Sequence, residues 1–210
     1  MWLESRLYYF HDPMCSWCWA FGPVLRRVEE RLPEGIRLVR VLGGLAPDTD
    51  EPMPQAMRER LQAIWRTIAV KVPGTVFDFS YWDVQTPRRS TYRACRAVIA
   101  ATRLGGLEQP MIEAIQRAYY QRALNPSDRP TLIALAGELG LDTERFGFLL
   151  DHPETQVELA RQIAMTRERG VSGFPTLMLE TDGQWRPIGV DYHHSDAILR
   201  QLSTPRARAF

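Results

Sequence analysis

The sequence predicts an α/β fold of order β-α-β … β-β-α, with a large all-helical domain inserted after the second strand. Three observations carry that expectation. Two apolar runs near the start, Leu7-Tyr8-Tyr9-Phe10 and Ile36 to Leu42, flank a stretch able to form a helix, Trp19 to Leu32. A long middle section repeats apolar residues at spacings of three and four, the period of a helix face. Strand-like runs then return on either side of Asp182-Gly183, a dipeptide suited to a hairpin turn.

Each element has a local reason. Ile36 to Leu42 is rich in Ile, Leu and Val and stops at Gly43-Gly44, so it reads as a second strand parallel to the first. Met53, Met57, Leu61, Ile64, Trp65, Ile68 and Val72 mark an amphipathic helix that Pro73-Gly74 ends. Ser90 is the expected cap of the next helix, which carries Tyr92, Cys95 and Ile99 and closes at Gly105-Gly106. A third bears Met111, Ile115 and Tyr119. Pro130 opens a fourth with Leu132, Leu135 and Leu139, stopped at Gly140. Asp142 caps a short helix with Phe146 and Leu149-Leu150. Pro153 opens the last of the group, with Val157, Ala160 and Ala164 expected on its apolar face. Thr176 to Glu180 and Trp185 to Gly189 form the hairpin, and a final helix follows Ser195 with Ile198, Leu199 and Leu202. Residues 47–165 thus form the inserted helical domain, and 1–46 with 166–210 form the α/β domain. Phe77, Phe79, Tyr81 and Trp82 fall in a loop between helices, where they either pack the lobes together or cover a groove.

Composition narrows the function. The chain has 210 residues, 45% hydrophobic and 24% charged, an ordinary globular balance. Lys and Arg (26) nearly cancel Asp and Glu (25), so no global field attracts nucleic acid or an anionic membrane. The basic segment Pro205-Arg206-Ala207-Arg208 reads as a frayed terminus. No apolar run has the length of a membrane span, and the first strand begins too early for a signal peptide, so a cytoplasmic protein is expected. In a reducing compartment three cysteines do not build a disulfide framework.

Cys15-Ser16-Trp17-Cys18 lies at a strand-to-helix junction, the signature of thioredoxin-type thiol–disulfide chemistry. Two intervening residues let the sulfurs approach within one helical turn. The first sulfur then meets the unpaired N–H groups of the helix start, which favour a thiolate. Cys15 is therefore the expected nucleophile, the exposed one, and Cys18 the buried resolving cysteine. A zinc site would need two more ligands, and Cys95, His11, His152, His193 and His194 show no ligand spacing, so no metal is expected. Ser16 is placed to donate a hydrogen bond to the thiolate, and Trp17 to cover the sulfurs or to pack. A protonated His11 near the sulfur would add to the same effect, against the plainer reading of polar packing. Cys95 reads as a small buried hydrophobe.

The chain resembles the DsbA-like branch of the thioredoxin superfamily. The resemblance rests on Asp12-Pro13-Met14-Cys15-Ser16-Trp17-Cys18-Trp19-Ala20-Phe21, Gly43-Gly44-Leu45, Ala94-Cys95-Arg96-Ala97 and Gly170-Val171-Ser172-Gly173-Phe174-Pro175-Thr176-Leu177. It is nearest to cytoplasmic bacterial members with a Cys-Ser-Trp-Cys centre. FrnE-like oxidoreductases, kappa-class glutathione transferases and 2-hydroxychromene-2-carboxylate isomerases are more distant. The resemblance implies a thioredoxin fold with a helical insertion. It implies a cis peptide bond at Pro175 beside the dithiol, with Phe174 offering a client an apolar wall. The periplasmic enzyme carries a signal peptide and a Cys-Pro-His-Cys centre, so its strongly oxidising character does not carry over.

Three functions stay open at this point. The first is a thiol–disulfide oxidoreductase that reduces or isomerises disulfides of protein clients, with glutathione as a possible co-substrate and no other cofactor. The second is a non-catalytic adaptor or redox sensor, since some relatives with this fold act as adaptors for proteolysis. The third is a glutathione-dependent transferase or isomerase, against which the retained Cys18 argues. Substrate, potential and oligomeric state are not legible.

Overall fold

A computed structural model describes residues 5–203. The basic segment at 205–208 lies outside the described residues. A four-stranded sheet has the order β2-β1-β3-β4. β1 (Ser5–His11) runs parallel to β2 (Ile36–Leu42) and antiparallel to β3 (Thr176–Thr181), which pairs antiparallel with β4 (Gln184–Ile188). The parallel pair needs a crossover, and α1 (Ser16–Glu29) supplies it. Asp182 (φ +55°) and Gly183 (φ +75°) both take left-handed backbone, as a two-residue type I′ hairpin turn requires.

Between β2 and β3 come α2 (Gln55–Lys71), α3 (Tyr81–Val84), α4 (Tyr92–Gly105), α5 (Glu108–Gln121), α6 (Arg129–Glu138), α7 (Thr143–Asp151) and α8 (Pro153–Glu168). The final helix is α9 (Ser195–Ser203). Alternation along β1 sorts the core. Leu7 and Tyr9 face α1 and α9 together with Phe21, Val24, Val28 and Ile198. Tyr8 and Phe10 face the other way, with Val41, Met165, Phe174 and Trp185. The helices have their own core, in which Trp65 is ringed by Phe77, Tyr81, Trp82, Tyr119 and Tyr120 at 4.9 to 6.0 Å between ring centres.

Four local expectations need correction. α1 begins at Ser16, three residues before the expected start, so Cys18 is already inside the first turn. The N-cap of α4 is Thr91, not Ser90. α8 buries Thr155, Leu159, Ile163 and Thr166, while Val157 is 69% exposed. Its expected stripe of Val157, Ala160 and Ala164 was read from side-chain type alone, and the true face is set by the contact with α4 and β2. Tyr81 and Trp82 lie in the short helix α3, not in a loop, and fill the core around Trp65 rather than covering the dithiol.

Candidate active site

Cys15 is the N-cap of α1, at φ −84° and ψ 117°. The turn before it is closed by Cys15 N–H donating to the Asp12 carbonyl at 3.0 Å, and Cys15 C=O accepts the first helical bond from Trp19 at 3.0 Å. The Tyr120 hydroxyl donates to the Met14 carbonyl at 2.7 Å, which fixes the turn to α5. The Cys15 Sγ lies 3.5 Å from the Phe174 carbonyl oxygen, and the Phe174–Pro175 bond is cis. Two segments 159 residues apart thus meet at one sulfur. Cys15 is 7% exposed and Cys18 0%, so Cys15 is the more accessible of the pair but is itself mostly covered, against the sequence expectation of an exposed thiol. Both are free thiols.

Cys18 holds its proton far more tightly than an ordinary thiol. Burial is the main cause, followed by its hydrogen bond to Cys15 and the charge there. A backbone hydrogen bond from Asp12 and one from the Tyr9 hydroxyl act the other way.

The residues around the pair depart from expectation in three ways. The Ser16 hydroxyl has no hydrogen-bond partner among the described residues, so the anticipated bond to Cys15 is not formed. His11 is fully buried against the Tyr9 ring, with centroids 4.7 Å apart and planes 5° from parallel. Burial, aided by the Arg40 charge, pushes its pKa down to about 3, so the imidazole is neutral and no cation stabilises the thiolate from there. Phe174 is half-buried and turned onto Gly43, where an added Cβ would stand 1.9 Å from the ring. Its ring therefore packs inward, and its carbonyl is the group presented to Cys15. Trp17 stands partly exposed, edge-on to Tyr192 at 5.2 Å.

Asp12 is the residue whose importance the sequence did not disclose. It is fully buried, and its carboxylate accepts from Met14 N (2.7 Å), Leu45 N (2.7 Å), the Thr91 hydroxyl (2.6 Å) and the Cys95 thiol (3.6 Å). One side chain thus ties the dithiol turn to the loop after β2 and to the start of α4. Burial raises its pKa, and these four bonds oppose the rise. The signal available in the sequence was an Asp-Pro just before the Cys pair, which reads equally well as a turn.

Among the described residues no group of three His, Cys, Asp or Glu side chains is arranged to hold a metal ion, and no helix is long and apolar enough to cross a membrane.

The family described as DSBA-like thioredoxin domain matches residues 6–202. In structure the chain is similar to a candidate protein disulfide isomerase from Nitrosomonas europaea (TM-score 0.82, 28% identity, 95% of each chain). It is also similar to the cytosolic disulfide reductase DsbM from Pseudomonas aeruginosa (TM-score 0.74, 29% identity, 88% of this chain and 89% of that one), which has also been solved with glutathione. Among curated proteins it is 26% identical over 206 residues to the ClpXP adapter protein SpxH of Bacillus subtilis, covering 94% of this chain and 67% of that protein. It spans 59% of the length of SpxH from Halalkalibacterium halodurans, at 25% identity and 84% of this chain.

Proposed function

From the premise that the chain belongs to the DSBA-like thioredoxin domain family, we propose that it is a thiol–disulfide oxidoreductase in which Cys15 attacks and Cys18 resolves. The observation that carries this reading is the head of α1: the Cys15 sulfur at the N-cap, 3.5 Å from the Phe174 carbonyl, with the Cys18 thiol fully buried in the first turn behind it.

The Cys15 thiolate attacks one sulfur of a client disulfide. The S–S bond breaks, its electron pair leaves with the other client sulfur, and that thiolate takes up a proton. Cys18 then gives up its proton and attacks the Cys15 sulfur of the mixed disulfide. The Cys15–Cys18 bond forms and the second client thiolate departs, so the client gains the two electrons that the dithiol loses. The tight hold of Cys18 on its proton suits this order, because part of it comes from the Cys15 charge and disappears once Cys15 is in the mixed disulfide. Phe174, Pro175, Ser16 and Trp17 are the proposed client-contacting residues. Glutathione is the proposed thiol that returns the pair to the reduced state, a reading supported by the glutathione-bound relative. Net reduction or isomerisation in the cytoplasm is supported by the cytosolic disulfide reductase relative.

The test is reduction of insulin disulfides with glutathione as electron source. Cys15→Ser is expected to fall to the uncatalysed rate. Cys18→Ser is expected to accumulate a mixed disulfide at Cys15, seen by mass spectrometry. Unchanged turnover in Cys15→Ser would refute the proposal. A second reading, a proteolytic adaptor, is supported by the ClpXP adapter relatives. It requires partner capture that persists when Cys15 and Cys18 are both serine.

A further inference from the structure

The cleft along the outer face of α1 takes no part in the dithiol chemistry and has the makings of a ligand site. It encloses about 480 Å³, within the range of small-molecule pockets. α1, α5 and the turn after α2 wall it, and Trp19 and Tyr192 give it aromatic surface.

Its charge is one-sided. Arg26, Arg27 and Arg117 line it against a single carboxylate, Glu113. Glu113 is held by Arg26 at 3.4 Å and Arg117 at 3.3 Å, whereas Arg27 has no partner among the described residues. The second observation is Gln116. It is 5% exposed, yet its side-chain amide has no hydrogen-bond partner among the described residues, and it lines the cleft. The residue is buried but its amide atoms are not sealed from solvent, so the amide opens on the cleft, where a ligand can pair it.

An amide that both donates and accepts matches a peptide group, and a guanidinium matches a carboxylate. We propose that this cleft binds a small anionic peptide of di- to tripeptide size, with Gln116 paired to a peptide group and Arg27 and Arg117 to its carboxylates. This site stands apart from the redox function and does not depend on it.

The probe is S-methylglutathione, whose blocked sulfur cannot exchange with a thiol, followed by calorimetry on the wild type and on the Cys15→Ser/Cys18→Ser variant. Saturable one-to-one binding to both is expected. An added Cβ at Gly22 meets nothing within 4 Å, so Gly22→Leu fills the cleft and also improves helix propensity. Gln116→Leu removes the unpaired amide at nearly constant volume. Each is expected to weaken binding by about tenfold or more without lowering the melting temperature. The neutral diester of the probe is expected not to bind. Lack of saturable binding in the millimolar range overturns the proposal. So does binding that both leucine variants leave intact, binding that vanishes with the two thiols, or equal binding of the diester.

Discussion

Two helix starts in this protein carry a thiol in their first turn, and they have opposite characters. At α1 the N-cap is Cys15 itself, with Cys18 inside the first turn and the Phe174 carbonyl across the sulfur. At α4 the N-cap is Thr91, and Cys95 donates its proton to the Asp12 carboxylate 3.6 Å away. Neither helix start uses a side-chain cap bond. Burial and the Asp12 charge push the Cys95 thiol far up, so it stays protonated. A helix N-terminus therefore does not make a cysteine reactive. The reactivity proposed for Cys15 rests as well on a second thiol within reach. Asp12 joins the two regions, accepting from both and positioning one while silencing the other.

The sharpest way to break this comparison is to exchange the thiols' fates. Cys15→Ser is expected to cost about a thousandfold or more in disulfide reduction, while Cys95→Ser keeps the rate within about twofold. Comparable losses in both would place Cys95 in the chemistry. Next in size is Gly43→Ala. The new Cβ overlaps the Phe174 ring, which must swing away, and the expected effect is that the carbonyl of the same residue shifts against Cys15. A shift of about 1 Å at a reacting centre can cost about a hundredfold, so a drop of that order is expected in the insulin assay. An unchanged rate would show that the Phe174 carbonyl does not matter to turnover.

His11 offers a pH test of the buried floor between the two helix starts. The unfolded chain takes up a proton near pH 6.5, and the folded chain refuses it down to about pH 3. The stability present above pH 6.5 is therefore lost as pH falls, by about 2 kcal/mol at about pH 5. His11→Phe keeps a ring against Tyr9 and removes two buried nitrogens that lack partners among the described residues. Urea unfolding at the two pH values should show that contribution abolished in the variant. If the pH dependence is the same in both proteins, His11 is not its source. The smallest expected effect is Cys95→Ala, about 1 kcal/mol of stability for a lost thiol hydrogen bond and a small void. A loss several times larger would mean that Asp12 relies on Cys95 more than on its three other donors.

The success of the sequence reading followed range. β2 was legible residue for residue, since Ile36 to Leu42 is rich in Ile, Leu and Val and closed by Gly43-Gly44. The hairpin was legible because Asp182-Gly183 meets a purely local backbone demand. Asp142 was legible as a cap and does accept from Arg145 N. Reading failed where a neighbour made the choice. Thr91 was preferred to Ser90 because the Asp12 carboxylate, 79 residues away, takes its hydroxyl. The α8 stripe went wrong because small and β-branched residues on a helix do not announce which side meets α4.

What the residues alone settled was therefore the order of the strands and of every helix but α3, the dithiol at a strand–helix junction and the family it signals. These rest on interactions spanning one or two turns of chain, where spacing and turn chemistry suffice. Tertiary structure decided the rest: that Asp12 is shared by two helix starts, that His11 is neutral, that Phe174 turns inward onto Gly43, and that Gln116 faces a basic cleft with its amide unspent. Each depends on which segments distant in sequence exclude water from one another. Burial and the protonation it imposes arise only from that assembly.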